Sequence, residues 1–325
     1  MVEQTTLPVP VPTAATGSTF KATMENSRVI KGIIEAISFL IDETYIYMRP
    51  DGMKLNAIDS SHVAMLLAFL PKELFTEYKC EQDAKVGISV ADLVKVLRRA
   101  KATDEVQLRV EAKDKNTLLL TLKGDKSTRT FKLKSKEIPG YDAKEEGLLE
   151  SFEETLKDKF SASVSFDCAV LDEVVKDASI ISDLLKVNVN AAEKQLVFNA
   201  SDESGEVDIQ IDLEGKGVLA KDVKNDAEGI YSLNFLENII KVQTFIDHFE
   251  IAMGNNIPMK IKGAIKPPAP ADGKLGLPST VEGKIVYLLA PRVEDQNEDE
   301  FGDDVEDDDV KAPGSADEPS GDEEV

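Results

Sequence analysis

The chain has no tryptophan, two histidines and two cysteines among its 325 residues, and aromatics supply only 6% of it. Each scarcity removes a class of function. Cys80 and Cys168 stand far apart with no CxxC, so neither a disulfide framework nor a cysteine-based zinc site is indicated, and a reducing compartment is expected. P-loop, GxGxxG, GxSxG and HExxH patterns are all missing. Asp59, Ser60 and His62 offer triad residue types within four positions, but triads assemble from separate segments, so catalysis is not expected there. His248, at a strand start, reads as structural. No apolar run approaches the ~20 residues of a membrane span. Residues 1–17 lack the basic start and apolar middle of a signal peptide, and their Val-Pro-Val-Pro pattern reads as a flexible arm.

Positive charge is scarce too, but unevenly so. The net charge is −23. From Glu294 onward, 16 acidic residues face Lys311 alone, a net of −15, which leaves about −8 for everything before. That acidic tail is too polar to bury a core and is expected to be disordered. It lacks the spacing of a calcium loop, so a solvated tail is expected instead.

What the chain does have is repetition. Asn56-Ala57-Ile58-Asp59-Ser60-Ser61 returns as Asn199-Ala200-Ser201-Asp202-Glu203-Ser204, Phe20-Lys21-Ala22 as Phe160-Ser161-Ala162, and Gly87-Ile88 as Gly229-Ile230, at offsets of 143, 140 and 142. This order points to two copies of one domain, at residues 19–133 and 160–293. An arm precedes them (1–18), a connector joins them (134–159), and the acidic tail follows (294–325).

The periodicity predicts the same elements in each copy. A short strand (Phe20–Met24; Phe160–Phe166) leads into an amphipathic helix over Arg28–Asp42 or Cys168–Ile181. Strands such as Lys54–Ile58 and Gln195–Ala200 follow, then a second helix over Val90–Lys101 or Ser232–Val242, then more strands. Two helices on antiparallel sheet, repeated, make an α+β architecture. In the charged connector, Ile138, Tyr141, Leu148, Leu149, Phe152 and Leu156 stand isolated: they either tack down a linker or complete a docking groove. Residues 266–283, rich in Pro and Gly, read as a long hairpin loop.

The helices carry the one cationic pattern. Arg28 and Lys31 oppose the apolar stripe of the first, Lys95, Arg98, Arg99 and Lys101 cluster on the second, and Lys176 and Lys241 mark the third and fourth. Lys and Arg without base-reading partners suit phosphate contacts, which position without reading sequence. Interleaved aromatics are missing, so stacking on single strands is not supported.

The segment Asp51-Gly52-Met53-Lys54-Leu55-Asn56-Ala57-Ile58-Asp59-Ser60-Ser61-His62-Val63 closely resembles the sliding clamps of the proliferating cell nuclear antigen type, and Leu288-Leu289-Ala290-Pro291-Arg292-Val293-Glu294 is similar to the end of that fold, in an archaeal-like form. The resemblance runs from about Phe20 to Glu294. It implies a clamp fold assembled as a pseudo-six-fold ring of three subunits, with the helices lining a hole for double-stranded DNA. It implies no enzymatic activity, cofactor or metal. The partners implied are DNA polymerase, an ATP-driven clamp loader, ligase and nucleases, held through short peptide motifs, in the archaeal cytoplasm or the eukaryotic nucleus. By resemblance, the subunit joint pairs strands near Ser127–Leu133 (Arg129, Phe131, Lys132) and Glu206–Leu213 (Glu206, Asp208, Ile209, Ile211, Asp212). Opposite charges on two different edges favour a head-to-tail joint. The partner groove takes His62, Val63, Ala64, Pro258, Leu289, Ala290, Pro291 and Arg292, with Leu148, Leu149 and Phe152 chosen from the connector. The longer connector, the 266–283 insertion and the extended termini depart from the family pattern. Alternatives are one subunit of a heterotrimeric clamp, a DNA-metabolism enzyme with an acidic tail, or an acidic chaperone.

Overall fold

The computed structural model describes residues 18–139, 147–266 and 282–292. The arm, Tyr141, the interior of the Pro- and Gly-rich insertion and the acidic tail lie outside them.

The first half runs β1 (Ser18–Met24), α1 (Arg28–Ile37), β2 (Glu43–Arg49), β3 (Gly52–Ile58), β4 (Ala64–Pro71), β5 (Glu77–Cys80), β6 (Ala84–Ser89), α2 (Val90–Leu97), β7 (Glu105–Glu111), β8 (Asp114–Lys123) and β9 (Thr128–Lys134). A connector helix, α3 (Leu148–Leu156), follows. The second half then repeats the order strand for strand and helix for helix: β10 (Ala162–Asp167), α4 (Cys168–Ala178), β11 (Leu184–Asn190), β12 (Gln195–Asp202), β13 (Gly205–Asp212), β14 (Val218–Val223), β15 (Ala227–Ser232), α5 (Leu233–Ile239), β16 (His248–Met253), β17 (Met259–Ile265) and β18 (Gly283–Leu289).

All four repeat helices stop short of their predicted ends, for one reason. Their last residues tighten into i→i−3 bonds, as in Leu40 N–H to Ile37 C=O, Ala100 to Leu97 and Ile181 to Ala178, and after α5 a full 3₁₀ turn covers Ile240–Thr244. The apolar stripes do what their spacing requires. Ile30, Ile33 and Ile34 of α1 and Leu93 and Leu97 of α2 meet Ile46, Met53 and Leu55 from one sheet and Leu108 and Leu120 from another. Emptying such a site by Leu→Ala costs about 2–5 kcal/mol.

The strands pair antiparallel in three sheets. Their orders are β5-β1-β7-β8-β9, β14-β10-β16-β17-β18-β4-β3-β2-β6 and β13-β12-β11-β15. The long sheet crosses between the halves at β18–β4, where Ile285, Tyr287 and Leu289 face Ala68, Leu66 and Ala64. The described residues up to Arg292 form one compact unit rather than two.

Register sorts the three sequence matches. Asn56 and Asn199 are true counterparts: Asp59 accepts the Ser61 N–H at 2.9 Å, and Asp202 accepts the Ser204 N–H at 2.6 Å, so each repeat ends its strand in the same side-chain-to-backbone turn. The other two matches slide. Phe20 faces Val110, the last inward residue of β7, and the same place opposite β16 belongs to Ala162, facing Met253, so Phe20 matches Ala162 and not Phe160. Ser89 and Ser232 both pair with the first residue of a strand (Glu43, Leu184), which sets Gly87 against Ile230 and not Gly229. A one-residue slip exchanges the two faces of a strand, so that match carried no structural information.

Candidate functional site

The basic residues lie where the repeat helices present them. Arg28, Lys95, Arg98, Arg99, Lys101, Lys176 and Lys241 are exposed, and Lys31 is half-buried. α1 packs on α2 and on the 3₁₀ turn after α5, and α4 packs on α5, so the four helices make one continuous layer. The cationic face is uneven. Lys95 pairs with Asp92 at 3.1 Å and Lys176 with Asp172 at 2.6 Å, while Lys241 donates to Asn238 at 2.6 Å. Exposed pairs of this kind are worth about 0.3–0.5 kcal/mol and are screened by salt, so they leave the lysines free to exchange partners. Beyond that pair, α4 exposes Glu173 and Asp177, so the net positive charge gathers at α1 and α2.

Two strands carry the candidate assembly surface. Among the described residues β9 pairs only with β8, and β13 only with β12. Their counterparts are paired: β9 occupies in its sheet the place of β18, and β13 the place of β4, which are the two strands that join the halves. Phe131, Leu133, Val207, Ile209 and Ile211 point inward and are half-buried. Lys132, Glu206, Asp208 and Asp212 point outward and are exposed.

Arg129 requires a correction. It sits on the inward row, and its guanidinium donates to the Arg99 carbonyl at 3.0 Å and to the buried Asp104 carboxylate at 2.9 Å. It is therefore not the outward cation expected of it. Lys134, which sequence reasoning left out, stands with Lys132 on the exposed row and makes a 3.4 Å contact to Asp114.

The candidate partner surface assembles around the β3–β4 turn. Asp59 is buried and accepts the Ser61 and Ala64 N–H groups at 2.9 and 2.6 Å. Burial works against its charge, but the N–H groups of Ala64, Ser61 and Val63 and the Ser61 side chain prevail and hold its carboxyl below the ordinary Asp value. The turn places His62 in the left-handed region (φ 58°), exposed at the mouth of a cavity of about 190 Å³ lined also by Ile41, Asn56, Ile58 and Leu148. The Ala290 N–H donates to the Val63 carbonyl at 2.8 Å, and that of Arg292 to Ile230 at 2.7 Å. Val63, Leu148, Ala290 and Pro291 are thus partly accessible around the turn, with Pro258 half-buried at the start of β17.

Three expected groove residues are not available to a partner. Ala64 and Leu289 are cross-strand neighbours buried in the β18–β4 joint. Leu149 is 2% exposed. It packs with Leu156 on Leu67, Val286 and Leu288, the outer face of the same joint. The connector is not a plain strap here. Leu149 and Leu156 lie two turns apart on one face of α3, and ion pairs from Lys54 to Glu150 and from Lys284 to Glu153 (3.5 Å) pin the other side. Phe152 stays 38% exposed. Before α3, the Lys136 N–H runs to Gly87 C=O at 3.0 Å, and the Ile138 N–H to the Tyr45 hydroxyl at 3.1 Å.

Among the described residues no cluster of His, Cys, Asp or Glu is arranged to hold a metal, and no helix is long and apolar enough to cross a membrane.

Comparison with known proteins fits this geometry. The profile described as "Proliferating cell nuclear antigen, N-terminal domain" matches residues 19–145. A DNA polymerase sliding clamp of Thermococcus onnurineus is 32% identical over 277 residues, covering 85% of this chain and 99% of the relative. One from Pyrococcus horikoshii is 31% identical with the same coverage. Among solved structures, PCNA from Thermococcus kodakaraensis superposes with a TM-score of 0.66 at 24% identity, covering 84% of this chain and all of the other. The PCNA2–PCNA3 complex of Sulfolobus tokodaii gives 0.66 at 23%.

Proposed function

The chain belongs to the proliferating cell nuclear antigen family of DNA polymerase sliding clamps, and from that premise we propose that three copies close head to tail around double-stranded DNA and hold polymerase on it. It acts by tethering rather than by catalysis. Loader, ligase and nucleases would use the same ring through short peptides.

One observation carries the reading: the strands left unpaired, β9 and β13, are the counterparts of the strands that join the halves. Carrying the internal register over to them gives the joint between copies. Tyr287 opposite Leu66 becomes Phe131 opposite Val207, and Leu288 opposite Met65 becomes Lys132 opposite Glu206. The half-buried apolar row closes, a cation meets a carboxylate, and edges that would otherwise invite aggregation are hidden. Such a joint is heterologous, so it closes only by going round.

The helix layer then faces the hole. Arg28, Lys31, Arg98, Arg99, Lys101, Lys176 and Lys241 would meet phosphates weakly and without sequence preference, as sliding requires. On the outer face, the cavity between His62 and Leu148, with Val63, Ala290, Pro291 and Phe152 around it, would take the apolar anchors of a partner peptide. Burying two aromatic anchors gives about 3–6 kcal/mol gross. Ordering the peptide consumes part of that, which leaves an affinity of roughly micromolar order per site.

Native mass of the purified chain across concentrations, together with primer extension by a clamp-dependent polymerase and loader, tests the reading. A trimer that lengthens the products supports it. A chain that stays monomeric throughout and leaves product length unchanged refutes it, and a chain that trimerises only with a paralogue makes the ring heteromeric.

A further inference from the structure

Of the exposed large apolar side chains among the described residues, Ile180 is the barest, at 78%. It stands just past the end of α4, where an apolar residue gains nothing from water. The repeat says what should cover it. At the end of α1, Ser38, Phe39, Leu40 and Ile41 donate to Ile34, Ala36, Ile37 and Ile37; at the end of α4, Ser179, Ile180, Ile181 and Ser182 donate to Val175, Asp177, Ala178 and Ala178. The two patterns coincide bond for bond, so Ile180 holds the place of Phe39.

Phe39 is not bare, because its ring meets Phe235 of α5 edge-on, 5.5 Å between centroids. That is part of the helix layer of the internal joint, where Gly32 of α1 also lies so close to Phe245 that a Cβ would fall 2.4 Å from its ring. The counterpart of α5 is α2. Each starts just after a serine paired with the first residue of a strand, and the Val90 and Leu233 N–H groups cap Asp42 and Asp183 alike. Counting from those serines, Phe235 corresponds to Asp92, which pairs with Lys95 one turn on.

We propose that Ile180 anchors a helix-layer contact between copies of this chain, seated on the Asp92–Lys95 face of α2 in the next copy. The proposal rests on the ring reading and adds a second layer to the edge joint. The surroundings are complementary in charge: α4 exposes Glu173 and Asp177 beside Ile180, and α2 ends in Arg98 and Arg99. The aliphatic stem of Lys95 would lie over Ile180, so Lys95, first read as a DNA contact, becomes an assembly residue. Because both surfaces belong to one chain, the contact also favours self-assembly over assembly with a paralogue.

The experiment is sedimentation of the full chain over a concentration series, with Ile180→Ser against wild type and Leu219→Ser as the control. Leu219 is also bare, at 52%, but lies on β14, away from both joints. Ile180→Ser is expected to raise the dissociation constant of the joint about tenfold or more, with Leu219→Ser unchanged. A short bis-maleimide on an Ile180→Cys, Asp92→Cys chain should give covalent dimers and trimers that neither wild type nor a Leu219→Cys, Asp92→Cys chain gives. A wild-type trimer with indifferent Ile180 and no added cross-link overturns this contact and leaves the ring standing. A wild type that is monomeric at every concentration removes both.

Discussion

The joint inside the chain and the edges left open are made from the same two strands of the repeat, yet they are finished differently. At the internal joint both faces of the sheet are apolar. Ile285, Tyr287 and Leu289 meet Leu66 and Ala68 beneath the helices, and Leu67, Val286 and Leu288 on the far face are sealed by α3. At the open edges only the inner row is apolar. The outer positions matching Leu67, Val286 and Leu288 are Asp208, Thr130 and Lys132, which are exposed with no connector helix over them. A joint dry on both faces behaves as part of a core and is permanent. A joint with one apolar row and one charged row can be parted and re-formed, which suits a clamp that must open once and then hold.

Substitutions at the two joints should therefore fail in different ways. The largest effect belongs to Leu66→Ala, fully buried in the internal joint. It should cost about 2–5 kcal/mol of unfolding free energy in urea melts. A loss under 1 kcal/mol would mean that the halves are held elsewhere. Leu149→Ala should come next, at about 2 kcal/mol, because α3 can detach without the halves separating. Phe152→Ala should leave stability unchanged within ~0.5 kcal/mol and weaken binding of an aromatic-anchored partner peptide in calorimetry. If the two effects are exchanged, α3 is a groove wall rather than a seal.

At the open edge the expected change is in assembly and not in folding. Lys132→Glu should weaken the joint by about 1 kcal/mol, seen as a shift toward monomer with the unfolding midpoint of the monomer unmoved. Glu206→Lys in the same chain should restore it, since the pair is then reversed rather than lost. Failure of that rescue would show that the register is not the one carried over from β18–β4.

Smaller still is the effect of acid on the β3–β4 turn. The Asp59 carboxyl is held below its ordinary value, so its stabilisation is complete above the unfolded Asp pKa of about 4 and is lost as the pH falls through the lower folded value. Asp59→Asn should flatten that part of the stability profile and loosen peptide binding near His62. An unchanged acid limb would assign the lability to other carboxylates.

Much of this was legible in the sequence because helices advertise themselves. The Ile and Leu spacing of α1 and α2 leaves little choice of face, and the Asn56–Ser61 repeat encodes a hydrogen-bonded turn that both halves need. Other features were hidden by geometry. α3 is a nine-residue helix with three glutamates and no side-chain cap, stable only where Leu149 and Leu156 find a patch built from β4 and β18. Arg129 read as an edge cation until strand parity turned it toward Asp104. The Gly87 match failed for the same reason, since identity of letters does not reveal which face of a strand they occupy. The cavity beside His62 draws on segments from both sides of the first half and from the connector, which no local pattern links.

The smallest predicted effect compares the two joints at a single atom. Tyr287 lies 3% exposed in the internal joint, and its hydroxyl finds no hydrogen-bond partner among the described residues. Its counterpart at the open edge is Phe131, the same ring without the oxygen. A buried hydroxyl with no partner gives up its hydration and receives nothing, so its removal should be neutral or favourable. Tyr287→Phe is therefore expected to leave the fold unchanged or to stabilise it by up to ~1 kcal/mol. Tyr231 in the same half is the control, because its hydroxyl donates to the Ile257 carbonyl at 3.1 Å. Tyr231→Phe should cost about 0.5–1.5 kcal/mol. Equal losses from the two substitutions would place an unseen partner, such as a water, on Tyr287. Opposite signs would show that the internal joint keeps a polar atom that its counterpart does without.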